Sequence, residues 1–418
     1  MSQDTTPASL TASEAASRIR DGELTSQELV QSCLDRIEAV EDKIGAWTHL
    51  DREYALAQAT AAQDQRQKGE KLGPLHGVPV GVKDILDTAD MPTENGTVLH
   101  AGRKPDNDCI VVERLRQAGA VILGKTVSTE LAVYSPGKTK NPHDPTRTPG
   151  GSSSGSAAAV ASFMVPIAVG TQTNGSVIRP AAYCGVFGFK PSHGLIPRHG
   201  ILKQSPPLDT VGVMGRTLED TALLADVLIG HDSRDPHSRP RANPQISRIM
   251  AEEPPVKPNL VFIRTPVWDQ AEESTKDAMR ELCEHFGDIR IMELPPIFDG
   301  ALEDHRQIME ADLAASFARE YRDGKDRLST VLREMIERGQ QVLAMDYNAA
   351  VARIADYQAE IGEIINLFDA ILTPATGGEA PVGLDATGSP AFCTIWTLAG
   401  VPALTMPILQ GPNGMPLG

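Results

Sequence analysis

The sequence predicts an α/β fold: one large domain with a central mixed, largely parallel sheet covered by helices on both faces. Short apolar runs recur at GVPVGV (77–82), AVIL (120–123), VPIAV (165–169) and GVFGF (185–189), and each reads as a buried strand. Helical patterns lie between some of them, VVERLRQAG at 111–119 for instance, and strands alternating with helices mark an α/β architecture. No internal repeat and no linker long enough to separate independent domains appears in the 418 residues, so 1–418 reads as a single unit.

Residues 1–60 form a helical segment. Thr11 with Glu14, and Thr25 with Glu28, have the spacing of a capping box. Behind the second pair, Leu29, Cys33, Ile37 and Val40 recur on one helical face. Residues 61–231 hold the apolar strands and the motifs that carry chemistry. The text then turns to Pro, Arg and Asp between 232 and 258, which reads as a surface excursion. A strand (260–264), a helix ending near Gly287, a strand (289–294) and a long helical stretch complete a variable, mostly helical segment, 232–367. FDAILTPA (368–375) and GVPALTMPI (400–408) read as strands returning to the core sheet within 368–418.

At 41% hydrophobic residues the chain can bury a sizeable core. With 39 basic and 55 acidic side chains its formal charge is −16, a field that repels phosphate backbones. The reading is therefore a small-molecule substrate and no nucleic acid. Five scattered cysteines, none at CxxC spacing, suggest neither a disulfide framework nor a metal site. The N-terminus has no basic start followed by an apolar stretch, and the apolar run around 157–170 is broken by Ser162 and Pro166. No membrane association and a cytoplasmic location are the corresponding expectations.

Three motif matches compete for the chemistry. GAVILGKT (119–126) satisfies GxxxxGK[ST], but a helix precedes Gly119 and the inner residues are strand formers, so a phosphate loop is rejected. GSSSG (151–155) imitates a nucleophile elbow, yet NPHDPTRTPG leads into it and cannot be a central strand. SPGK (135–138) imitates an SxxK motif, without that motif's companions. Taken together, GGSSSGS and TQTNGS read as two serine loops, one feeding a helix N-terminus and one following a strand. Both places collect outward-facing N–H groups, which an acyl-transfer site needs for its oxyanion. Lys83, ending GVPVGVKD, reads either as a solvated strand end or as a buried amine whose desolvation leaves it neutral enough to act as a base.

LHGVPVGVKDILDT (75–88), PGGSSSGSAAA (149–159), GTQTNGSVIRPAAYCGVFGFKPSHG (170–194), LDTVGVMGRTLED (208–220) and the closing ILTPA and GVPALTMP resemble the amidase signature family. The resemblance covers most of the chain, with little contribution from 232–365. It implies the amidase signature fold and a Ser–Ser–Lys triad without a metal or organic cofactor. Ser176 is expected as nucleophile, Ser152 as bridging serine after a cis Gly151–Ser152 bond, and Lys83 as base. Main-chain N–H groups of Thr173, Asn174, Gly175 and Ser176 are expected to hold the oxyanion.

Two positions depart from the common pattern: Asn174 stands where most members have glycine, and Arg179 lies three residues after the serine rather than two. Asparagine tolerates a positive φ, so the loop is expected to keep its shape. The SVIRPAAYCG arrangement resembles a malonamidase-like branch, in which the arginine holds a substrate carboxylate. Arg179 therefore reads as such a clamp or as a guanidinium satisfying loop carbonyls, with Thr171 and Gln172 as further polar pocket residues. The function implied is hydrolysis of a small linear, carboxylate-bearing amide through an acyl-enzyme, by an enzyme that forms a homodimer as family members often do. The alternative is the A-type subunit of a glutamine-dependent tRNA amidotransferase, against which the shifted arginine and the lack of a basic surface count. Family members usually continue past a GMPLG-like segment into a strand and a helix, so a sequence ending at Gly418 is expected to be trimmed or to lack part of the sheet.

Overall fold

Thr11 and Thr25 each open a helix, α1 (Ala12–Asp21) and α2 (Ser26–Ile44). The computed structural model describes residues 6–287 and 289–418; the first five residues, on which part of the N-terminal reading rests, lie outside them. The Thr25 side chain and the Glu28 carboxylate form a complete capping box, whereas Thr11 accepts only the Glu14 N–H. Both helices end on a left-handed glycine, Gly22 and Gly45. Leu29, Cys33 and Ile37 are buried and Val40 packs beside them, as the periodicity requires.

The chain continues through β1 (Trp47–Leu50), α3 (Arg52–Gln67), β2 (Pro79–Lys83), α4 (Ile110–Gln117), β3 (Val121–Thr126), α5 (Ser154–Ala161), β4 (Ile167–Gln172), α6 (Ile178–Cys184), β5 (Phe187–Lys190), β6 (Thr210–Gly215) and α7 (Leu218–Leu228). After the short α8 (Ile246–Met250) come β7 (Leu260–Arg264), α9 (Glu273–Phe286), β8 (Arg290–Glu293), α10 (Ala301–Ser316), α11 (Ala318–Gly324), α12 (Thr330–Gly339) and α13 (Ala344–Ile365). β9 (Ala370–Leu372), α14 (Ala391–Leu398) and β10 (Ala403–Thr405) follow, and a two-stranded ribbon closes the chain.

The central sheet is mixed, in the order β1-β3-β2-β4-β6-β5-β10. Its parallel part is β3-β2-β4, and the remaining neighbours pair antiparallel. Alternate strand residues serve opposite faces. Val121, Leu123 and Ala168 join α2 and α5 in one core cluster; Val80, Val82, Ile122, Ile167, Val169, Val211 and Val213 join α4 and α7 in another. A third cluster is built from α10, α12, α13 and α14.

One reading is corrected here, and the rejection of the phosphate loop stands. The 232–367 segment supplies β7 and β8 of a separate parallel sheet, β8-β7-β9, in which β9 pairs with β7 instead of returning to the core sheet; among the described residues of 368–418, β10 alone returns. β9 is drawn away because Leu260, Val261 and Phe262 offer a parallel edge to Ala370, Ile371 and Leu372. The GxxxxGKT match is a turn at Gly119 followed by strand β3, and Lys125 is fully buried, donating to the Thr88 and Thr93 hydroxyls at 2.6 Å each. Its third proton goes to Leu86 O, so that lysine has nothing left for a phosphate.

Candidate active site

Lys83 ends β2, where all five strand residues are buried. Its neighbours in the sheet, Thr126 of β3 and the end of β4, leave its side chain no route to solvent, and it is 0% exposed. Its Nζ is hydrogen-bonded to Ser152 Oγ at 2.8 Å and to Thr171 Oγ1 at 2.9 Å. Desolvation holds the amine well below its ordinary pKa, with Asp209 opposing in the other direction. Of the two readings of Lys83, the buried amine is the one realised.

Ser152 sits in a loop that small residues make possible. The Gly151–Ser152 bond is cis, as expected. A Cβ at Gly151 would lie 2.7 Å from Thr387 Cγ2 and 2.9 Å from Thr129 Cγ2. At the second residue of α5, a Cβ at Gly155 would meet Ala46 O and Val127 N at 2.3 Å, so this helix rests directly on backbone. The small-residue run after the serines is thus a packing requirement.

The second loop, Thr173–Ser176, is bound on every side. Gln172 Oε1 accepts the N–H groups of Val177 (2.8 Å) and Ile178 (3.0 Å), and its Nε2 donates to Thr397 Oγ1. With its amide so used, Gln172 holds the turn rather than lining a pocket. His305 Nε2 bonds the Thr173 carbonyl oxygen at 2.9 Å. Asn174 Nδ2 donates to Tyr134 Oη at 2.9 Å, while its Oδ1 accepts from Thr394 Oγ1 at 2.8 Å and its carbonyl from Thr397 Oγ1. Asn174 is not among the residues with a positive φ, so the loop keeps its course through side-chain bonds, not left-handed backbone. Gly175 packs on α14, where a Cβ would approach Pro390 at 3.1 Å and Cys393 at 3.3 Å.

Ser176 is 8% exposed, and its hydroxyl makes no hydrogen bond among the described residues. The two serine loops are joined instead through Arg179, which is fully buried and whose Nη2 donates to Gly151 O at 2.6 Å and Thr387 Oγ1 at 3.1 Å. Arg179 Nε and Nη1 have no partner among the described residues. Thr171 touches Lys83 and, with Thr173, Gln204, Asp209 and Arg198, borders a cavity of about 490 Å³. Among the described residues no cluster is arranged to hold a metal ion, and no helix is long and apolar enough to cross a membrane.

Sequence reasoning missed His305, Asp209, Tyr134, Thr394 and Thr397. Their contacts to the loop span long stretches of chain, and none belongs to a local motif that announces such a role. Asp209 was visible only as part of LDTVG.

The model of the Amidase family matches residues 28–418. The A-type subunit of glutamyl-tRNA(Gln) amidotransferase from Chloroflexus aggregans is 34% identical over 98% of this chain and 91% of its own length. The protein of the same name from Streptomyces coelicolor is 47% identical over 54% of this chain, a match that spans 47% of that relative. Among solved structures, native peptide amidase from Stenotrophomonas maltophilia superposes with a TM-score of 0.81 at 29% identity, covering 98% of this chain and 92% of that one.

These relatives overturn two expectations. A stand-alone hydrolase of a small carboxylate-bearing linear amide is not what the named relatives are, and their names contradict a site that works without protein partners or nucleic acid. The first expectation leaned on Arg179, whose Nη2 is occupied by the Ser152 loop. The second leaned on net charge, a property of one chain that says nothing of an assembly. Similarity of this extent, along nearly the whole sequence, identifies the chain as a member of the amidase family.

Proposed function

We propose that this chain is the amidase subunit of a glutamine-dependent tRNA amidotransferase. The observation that carries the reading is the 34% identity to a relative of that name along 98% of this chain and 91% of the relative. The bonded pair Lys83 and Ser152 supports the chemistry. Neutral Lys83 takes the Ser152 proton as Ser152 takes that of Ser176, and Ser176 Oγ attacks the side-chain amide carbon of glutamine. The N–H groups of Thr173, Asn174, Gly175 and Ser176 meet the oxyanion. The proton then passes from Lys83 through Ser152 to the departing nitrogen, which leaves as ammonia. Water, deprotonated by the same route, cleaves the acyl-enzyme to glutamate. The relatives' names imply partner proteins and a tRNA, to which this chain supplies the ammonia in the cytoplasm.

The test is reconstitution with the partner proteins, glutamine and glutamyl-tRNA(Gln), following both ammonia release and amidated tRNA. Glutamine hydrolysis should require Ser176 and rise when partners and tRNA are added. Full-rate hydrolysis of simple amides by the chain alone, unaffected by any partner, would sink the proposal.

A further inference from the structure

Thr173 Oγ1 faces two oxygen atoms at once: Gln204 Oε1 at 2.5 Å and Asp209 Oδ1 at 2.6 Å. A threonine hydroxyl has one proton, so it can donate to one of them only. The Gln204 amide cannot be turned to relieve the conflict, because its Nε2 donates to Leu131 O at 2.9 Å and the turned amide would set oxygen against oxygen there. Asp209 Oδ2 is already an acceptor, from the N–H groups of Gln204 (2.9 Å) and Ser205 (3.0 Å). A proton on Asp209 Oδ1 would give each of these oxygens a partner.

We propose that Asp209 is a positioning residue which holds the nucleophile loop as a neutral carboxylic acid, donating to Thr173 Oγ1 while Thr173 donates to Gln204. Burial works toward this state, and the hydrogen bonds from Thr173, Gln204 and Ser205 with the charge of Arg198 work against it. Burial pushes the Asp209 carboxyl up to about 6. Arg198, the nearest guanidinium, is bonded to the Asp235 carboxylate and reaches only the main-chain oxygen of Asp209. The other titratable groups around it are Lys83 beyond Thr171, His193 beside Arg198, His305 on the Thr173 carbonyl, and Asp312 on the Ser205 hydroxyl. Among the described residues no cation bonds the carboxylate directly.

Two duties follow from a proton at this place. The chain Asp209–Thr173–Gln204–Leu131 fixes the first residue of the loop before substrate arrives, as electrostatic preorganisation requires. A neutral Asp209 also withdraws the one opposing charge that would help Lys83 keep its proton. The inference rests on the proposed role of Thr173–Ser176 as the oxyanion loop.

The experiment compares D209N with D209A. Asparagine mimics the neutral acid, its amide donating to Thr173 and its oxygen accepting from Gln204 and Ser205; alanine does neither. We expect D209A to lower kcat for glutamine hydrolysis by about tenfold at unchanged KM, and D209N to restore it to within about twofold. T173V, which removes the hydroxyl both partners share, should match D209A and replaces it should D209A not fold. The infrared difference spectrum, wild type minus D209N at about pH 6, should contain the C=O stretch of a neutral carboxylic acid, and lose it at alkaline pH. D209N as impaired as D209A, or no such band at any pH where the protein is folded, overturns the assignment. The spectrum needs no substrate, so a wild-type chain without glutaminase activity would defeat the proposed function while the band still decides the state of Asp209.

Discussion

The Asn174 carboxamide bridges Tyr134 Oη and Thr394 Oγ1, at 2.9 and 2.8 Å, and so fastens the Thr173–Ser176 loop between two distant stretches of chain. N174A leaves both hydroxyls without that partner. Each lost buried hydrogen bond costs about 1 kcal/mol, so a destabilisation of about 2 kcal/mol is expected in denaturant unfolding. N174G, which restores the glycine of the common family pattern, should lose kcat without a rise in KM. An unchanged kcat would reduce the bridge to packing.

Removing the Lys83 amine should separate activity from stability. K83M keeps the apolar stem and should lower kcat/KM by roughly a hundredfold to ten-thousandfold. Because burial depresses the folded-state pKa, the unfolded chain binds the proton more readily between that depressed value and the ordinary amine value near 10.5. Wild-type stability therefore rises with pH across that window, and below it the buried amine is a burden. Thermal melts should show K83M gaining most over wild type at lower pH, with the gap narrowing as pH climbs. In the wild type, kcat/KM should fall on acidification as Lys83 takes up its proton.

Arg179 offers a test between its two readings. R179K keeps the charge but cannot span Gly151 O and Thr387 Oγ1 as the guanidinium does. If its work is to tether the Ser152 loop, kcat should fall about tenfold with KM nearly constant. A change confined to KM would instead mean that the arginine meets the substrate.

His305 should make the protein acid-sensitive. Burial lowers its pKa from 6.5 to about 4, so the unfolded state binds the extra proton between those values. Stability contributed by neutral His305 is present above pH 6.5 and is lost as pH falls toward about 4. H305Q retains a donor toward the Thr173 carbonyl and cannot titrate. Its melting temperature should fall less steeply than that of wild type over this range; equal slopes would assign the acid loss to other groups such as His193.

What could be read from the residues follows a physical divide. LVFIR at 260–264 is a strand with the bounds its composition suggests, and Thr25 with Glu28 is a complete capping box, because both signals are local. β6 escaped notice since TVGVMG places two glycines in six residues, which weakens a strand signal that only its neighbours in the sheet restore. β9 looked like core sheet because a buried apolar run does not reveal which edge it will join. The proposed roles of Lys83, Ser152 and Ser176 come from their motifs, and the structure brings Lys83 to Ser152. His305 and Thr173 are 132 residues apart in sequence, and no local pattern encodes such a meeting. Arg179 illustrates the limit from the other side: its motif suggested a ligand, and in the fold its Nη2 tethers the Ser152 loop while Nε and Nη1 have no partner among the described residues.

The seat of α5 on bare main chain has a consequence for mutation. A single methyl at Gly155 would strike the Ala46 carbonyl and the Val127 amide nitrogen, neither of which can step aside without tearing a strand connection. The helix would have to lift, and Ser152, three residues upstream, would ride with it out of reach of the amine. A position that touches no reactant is thereby as intolerant of change as the hydroxyls themselves, and the tolerance at stake is less than the width of one carbon atom.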